Sequence, residues 1–124
     1  MNKLILVLLS ILIIIVNISC KKREKGKVTI IAFPKHHEKN TRPYRAFIKS
    51  NTQEFPGTNP TNYDLEIVAD TTKNFIKIES LNSGEHYIYM NAFDTSIPAT
   101  VIGGIPINIT QTEGELNIDI PVTE

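Results

Sequence analysis

The stretch Leu81-Asn82-Ser83-Gly84-Glu85-His86-Tyr87-Ile88-Tyr89-Met90-Asn91 decides the fold. After a corner at Leu81–Gly84, His86, Ile88 and Met90 fall on one side of an extended chain, and Tyr87, Tyr89 and Asn91 on the other. Successive side chains of extended backbone point to opposite faces, so a period of two predicts a strand. The apolar side is the one such a strand turns to a core, which makes His86 a core or semi-buried histidine rather than a catalytic one.

The same period recurs on both sides of this stretch. Upstream, Val28, Ile30 and Ala32 alternate with Thr29, Ile31 and Phe33, predicting a first strand covered on both faces. Pro34–Arg42 is polar and turn-rich. A second strand over Pro43–Asn51 sets Tyr44, Ala46 and Ile48 against Arg45, Phe47 and Lys49. Thr52–Asn62 has the proline, glycine and asparagine content of a loop. A third strand sets Tyr63, Leu65 and Ile67 against Asp64, Glu66 and Val68, and a fourth covers Phe75–Ile78 after the turn Asp70-Thr71-Thr72. Downstream, Ala99–Thr110 reads as one strand broken or bulged at Gly103-Gly104, since paired glycines inside a strand pattern usually mark a kink. Leu116, Ile118, Ile120 and Val122 alternate with Asn117, Asp119 and Pro121 in the last strand. No twelve-residue window keeps a helical period. Seven short strands with frequent turns predict an all-β, antiparallel sandwich over residues 28–124.

The whole chain has 124 residues, 13 Lys and Arg against 13 Asp and Glu, three His and one Cys. Zero formal charge excludes a polybasic nucleic-acid binder, which needs surplus cations for phosphate. A single cysteine excludes an internal disulfide and any multi-cysteine zinc site. That cysteine sits in a telling place. Met1–Lys3 is basic, Leu4–Val16 is apolar with Ser10 its one polar residue, and Ile18-Ser19-Cys20 closes the segment. The layout is that of a secretory signal peptide, with an apolar run short of the roughly 20 residues of a spanning helix. Ser19-Cys20 resembles the lipobox of bacterial lipoproteins. The resemblance implies cleavage after residue 19, acylation of Cys20 by palmitate-type chains, and attachment to the cell envelope at the outer membrane, facing the periplasm or the cell surface. Residues 20–27, rich in Lys and Arg, would form a basic tether.

Ile78-x-x-Leu81-x-x-Gly84 followed by Tyr87-Ile88-Tyr89 resembles the corner of prealbumin-like sandwiches, the carboxypeptidase regulatory-like and collagen-adhesin B-type domains. Lys35-His36-His37, Tyr44–Lys49, Glu54-Phe55-Pro56-Gly57, Tyr63-Asp64 and Gly103-Gly104-Ile105-Pro106 are together similar to small lipoproteins of Bacteroidetes-type bacteria. The resemblance covers residues 26–124 and implies a spacer, contact module or adhesion scaffold, with no catalytic residue to carry over. It also excludes one enzyme: the hydrolase branch of the transthyretin superfold ends in Tyr-Arg-Gly-Ser, whereas this chain ends Pro121-Val122-Thr123-Glu124. The intramolecular crosslink of some collagen-adhesin domains would pair Lys27 with Asn117, but Asn117 alternates with Leu116 and Ile118 and so points outward.

Three groups of side chains remain as candidates. His36, His37 and Glu38 carry metal-ligand chemistry, and in a simple sandwich the first, third and fifth connections share one end, which gathers His36, His37, Asp70 and Asp94. Against a metal, neighbouring residues of an extended segment point opposite ways, so solvated loop histidines are the default. Asp64 and Glu66 read as carboxylates of an outward strand face. Phe55 stands in a polar loop; it either folds back onto the open end of the sandwich or, with Tyr63, binds a glycan or peptide. The sequence therefore predicts a lipid-anchored, non-enzymatic envelope protein without cofactor, whose partners are the membrane, through Cys20, and an envelope protein or glycan.

Overall fold

The computed structural model describes residues 26–124. The expected signal peptide 1–19, Cys20 and most of the tether lie outside the described residues. The alternation becomes eight strands: β1 Lys27–His36, β2 Lys39–Asn40, β3 Arg42–Ser50, β4 Leu65–Val68, β5 Ile76–Leu81, β6 Gly84–Asp94, β7 Ala99–Ile109 and β8 Glu113–Pro121. One 3-10 turn covers Pro60–Asn62. In the first sheet β1 pairs antiparallel with β2 and β5 and parallel with β8. The second sheet is antiparallel in the order β4-β3-β6-β7.

The sheets meet across one apolar core, as the all-β sandwich reading expects. Val28, Ile30 and Ala32 of β1, Ile76 and Ile78 of β5 and Ile120 of β8 face Ala46 and Ile48 of β3, Ile88, Met90 and Ala92 of β6, and Val101 and Ile109 of β7. Leu81 is buried at the predicted corner, and Gly84 has φ +119°, a conformation that side-chain-bearing residues rarely adopt.

Four expectations need correction. The sandwich is not wholly antiparallel, because β8 lies parallel to β1 from Lys27↔Glu113 to Lys35↔Pro121. Alternation specifies faces and is blind to strand direction. Beyond β8, Thr123 crosses to the other sheet and exchanges both backbone hydrogen bonds with Ile102, at 2.8 Å each. Second, Pro34–Arg42 is no simple turn: β1 runs on to His36, and His37 and Glu38 form a two-residue hairpin into β2.

Third, β7 is neither broken nor bulged at its glycines. Its register with β6 runs unbroken through Met90↔Gly103 and Tyr89↔Gly104. The glycines answer close approach instead. A Cβ on Gly103 would collide with the Pro121 carbonyl oxygen, and one on Gly104 would lie 2.6 Å from that of Ile88. The irregularities fall elsewhere, between Pro43 and Arg45 in β3 and opposite Val28–Ile30 in β5, where Ser80 takes φ 62°. Fourth, Tyr63 does not share a face with Ile67. It precedes β4 and packs on the outer side of the second sheet, while Ile67 packs against the core.

Candidate functional site

The outer face of the β3–β6 pair carries rows of matched residues, Lys49↔Tyr87, Phe47↔Tyr89 and Arg45↔Asn91. The loop from Asn51 to Asp64 folds over the two aromatic rows. Its ends are clamped: the Asn51 N–H donates to the Glu85 carbonyl and the Asp64 N–H to that of Ile48, both at 2.8 Å. The Asp64 carboxylate accepts from the Ser50 N–H at 2.8 Å and from Lys49 Nζ at 3.2 Å. The backbone donor of Ser50, followed by Lys49, holds this carboxyl below its ordinary pKa. Within the loop, Asn59 accepts from the Thr61 N–H at 3.1 Å, and the Asn62 amide donates to the Pro56 carbonyl at 2.8 Å. Gly57 turns at φ +95°, which brings its carbonyl to accept from the Tyr63 hydroxyl at 2.7 Å.

Beneath the loop lies a second apolar cluster of Phe47, Tyr87 and Tyr89, with Tyr63 packed against it. Tyr63 stacks on Tyr89 with centroids 6.0 Å apart and sits 5.6 Å from Phe47. Burial first, and then the neighbouring Tyr87 and Tyr89, push the Tyr63 phenol up to about 12. Phe55 closes the cluster from above, 5.6 Å from Tyr87 and 5.9 Å from Tyr89. Tyr87 and Tyr89 are thereby 8% and 6% exposed, while Phe55 itself stays 54% exposed. Phe55 thus folds back as expected, but onto a sheet face rather than the open end. The sequence placed Tyr87 and Tyr89 correctly on the side away from the core. Their partnership with Phe55 and Tyr63 was missed because it is made by a loop crossing, of which alternation holds no trace.

The histidine end is arranged differently from the expectation. His36 is buried, and its Nδ1–H donates to Asp94 Oδ2 at 2.7 Å. Asp94 also accepts from the Ser96 hydroxyl at 2.6 Å and the Ser96 N–H at 2.8 Å. The Ser96 hydroxyl, then His36, hold Asp94 down to about 2. The two imidazoles do not point opposite ways: His37 has φ 50°, which leaves extended geometry and brings its ring, tilted by 41°, to 4.1 Å from that of His36. Both line a recess of about 520 Å³ with Lys35, Glu38, Asp119 and Thr123. Asp94 orients His36 rather than joining it as a ligand. Asp70 lies in a loop at the same end, but its carboxylate accepts from the Thr72 hydroxyl and N–H. Among the described residues no three His, Cys, Asp or Glu side chains are grouped to hold a metal ion.

The remaining candidates are structural. His86 is buried; its Nε2–H donates to the Asn82 carbonyl at 2.8 Å, and in the neutral ring Nδ1 accepts from the Ser50 hydroxyl at 2.9 Å. Glu66 pairs with Arg45 on the surface. Asn117 is exposed and opposite Ile31, away from Lys27 at the start of β1. No protein-family model, curated protein or solved structure matches this chain.

Proposed function

We propose that this protein is a lipid-anchored, non-enzymatic β-sandwich of the bacterial cell envelope, held by acylated Cys20 at the outer membrane, and that it acts through contact with an envelope partner centred on Phe55. The observation that carries this reading is the exposed Phe55 ring, seated on Tyr87 and Tyr89 by a loop clamped at both ends. Half-exposed aromatics fixed in place lose little entropy on association, which is why they serve as interface anchors. Tyr63 supports that surface from below, since its hydroxyl is spent on Gly57. Two or more acyl chains make membrane residence stable where one gives only reversible binding.

Two measurements test the reading. Intact mass of the purified protein should give a species beginning at Cys20 with added lipid, and Cys20→Ala should retain residues 1–19 and carry none. Crosslinking in intact cells should capture an envelope component with wild type and lose it with Phe55→Ala. Unaltered capture by a folded Phe55→Ala variant would remove Phe55 as the contact. Glycan binding at the same loop is the second reading, favoured by the same exposed ring.

A further inference from the structure

We propose that a cationic groove at the loop end of the second sheet, built on Arg42, binds an acidic sugar unit. This site is separate from Phe55, and it does not rest on the contact proposed there. Two recesses meet at Arg42 and Thr71. One, of about 350 Å³, is lined by Tyr44, Arg45, Val68 and Asn91 besides these two, and the other, of about 560 Å³, continues over Asn40, Thr72, Lys73 and Phe75. Both fall within the roughly 300–1,000 Å³ of small-ligand sites.

The charge of the groove runs against that of the domain. Residues 26–124 hold eight Lys and Arg against twelve Asp and Glu, yet the two recesses are lined by Arg42, Arg45 and Lys73 and by no carboxylate. Arg45 is matched by Glu66, whereas Arg42 and Lys73 form no ion pair among the described residues. Asp70, beside Thr71, turns its carboxylate to Thr72, with Lys73 near enough to help keep it ionised. An arginine without a carboxylate partner offers a planar fork to a carboxylate or sulfate.

Two further features select a sugar over a bare anion. Asn91 lies between Arg45 and Ile102 in the sheet and lines the smaller recess. An amide side chain lining a recess can hydrogen-bond the hydroxyls that a sugar brings. Tyr44, 44% exposed at the wall of the same recess, presents a ring of the kind on which a pyranose face packs. Carboxylate or sulfate at Arg42 and Lys73, ring at Tyr44 and hydroxyl at Asn91 together describe a hexuronate or sulfated hexose.

Calorimetric titration of the full chain in detergent tests this with tetragalacturonate, a sulfated tetrasaccharide and neutral maltotetraose as probes. At least one acidic probe should bind, more weakly as salt rises, and maltotetraose should not. Arg42→Ala and Lys73→Ala should each weaken binding about tenfold or more, the scale of a lost charged hydrogen bond. Thermal unfolding of each variant is compared with wild type, and either folded variant suffices. No binding of either acidic probe at about 1 mM, equal binding of maltotetraose, or full affinity in folded Arg42→Ala and Lys73→Ala would overturn the proposal.

Discussion

At the turn between β1 and β2, His36 and Asp94 tie two distant pieces of chain together inside the sandwich end. The folded Asp94 carboxyl sits near 2 against an ordinary 3.8, so the fold favours its ionised form. Its contribution is therefore complete above pH 3.8 and is lost as pH falls towards 2. Acid titration of the denaturant midpoint should show wild type losing stability across that window and Asp94→Asn losing less, starting from a lower value at neutral pH. Leu81 makes the apolar counterpart of this residue-scale argument. It is buried in the core beside the Gly84 turn, and Leu81→Ala should cost about 2–5 kcal/mol through the cavity it leaves. An unchanged urea midpoint would contradict that packing.

The elements of this protein owe their exactness to places where chains touch. In β7, Gly104 leaves no room for a Cβ against the Ile88 carbonyl oxygen at 2.6 Å and Tyr87 Cε1 at 2.8 Å. Gly104→Ala should destabilise by about 1–3 kcal/mol through overpacking and loosen the Tyr87 side of the aromatic cluster. Urea melts measure the first effect, and tyrosine fluorescence the second; a neutral result would contradict the close approach at Gly104. The Asn51–Asp64 loop responds to the opposite end of the pH scale. Tyr63 is raised from 10.0 to about 12, so its phenol is held protonated and its support of the loop is present below pH 10 and lost as pH rises towards 12. Spectrophotometric titration should show a tyrosine ionising late, and limited proteolysis should cut the loop once it has. Tyr63→Phe should be cut more readily at neutral pH, because the bond to Gly57 is gone.

Across the whole molecule, the first and last strands are neighbours. β8 covers one edge of β1 along almost its full length, and Ile120 and Val122 enter the core behind it. Each fully buried side chain of this kind contributes about 1.5–3 kcal/mol, against a total stability of about 5–15 kcal/mol for a domain. A chain ending at Thr112 should accordingly show no cooperative thermal transition. A retained sharp transition would mean that β8 is an accessory to the sandwich rather than part of it. Pairing across the length of the domain also puts this fold among those dominated by non-local contacts, which form in milliseconds to seconds.

The all-β class, the faces of β1, β3, β6 and β8, the Leu81–Gly84 corner, the core position of His86 and the outward position of Asn117 were legible from residues alone. They depend on alternation and on φ preference, which are local properties of the chain. The direction of β8, the approach of the His37 ring to His36, the reason for Gly103-Gly104 and the seat of Phe55 were decided only by tertiary structure. Each depends on which distant segment lies opposite, and a period of two carries no information about that. The Arg42 groove belongs with them: Arg42, Thr71 and Asn91 come from three separate stretches, and only the β4-β3-β6 order and the loop that follows β4 bring them to one recess.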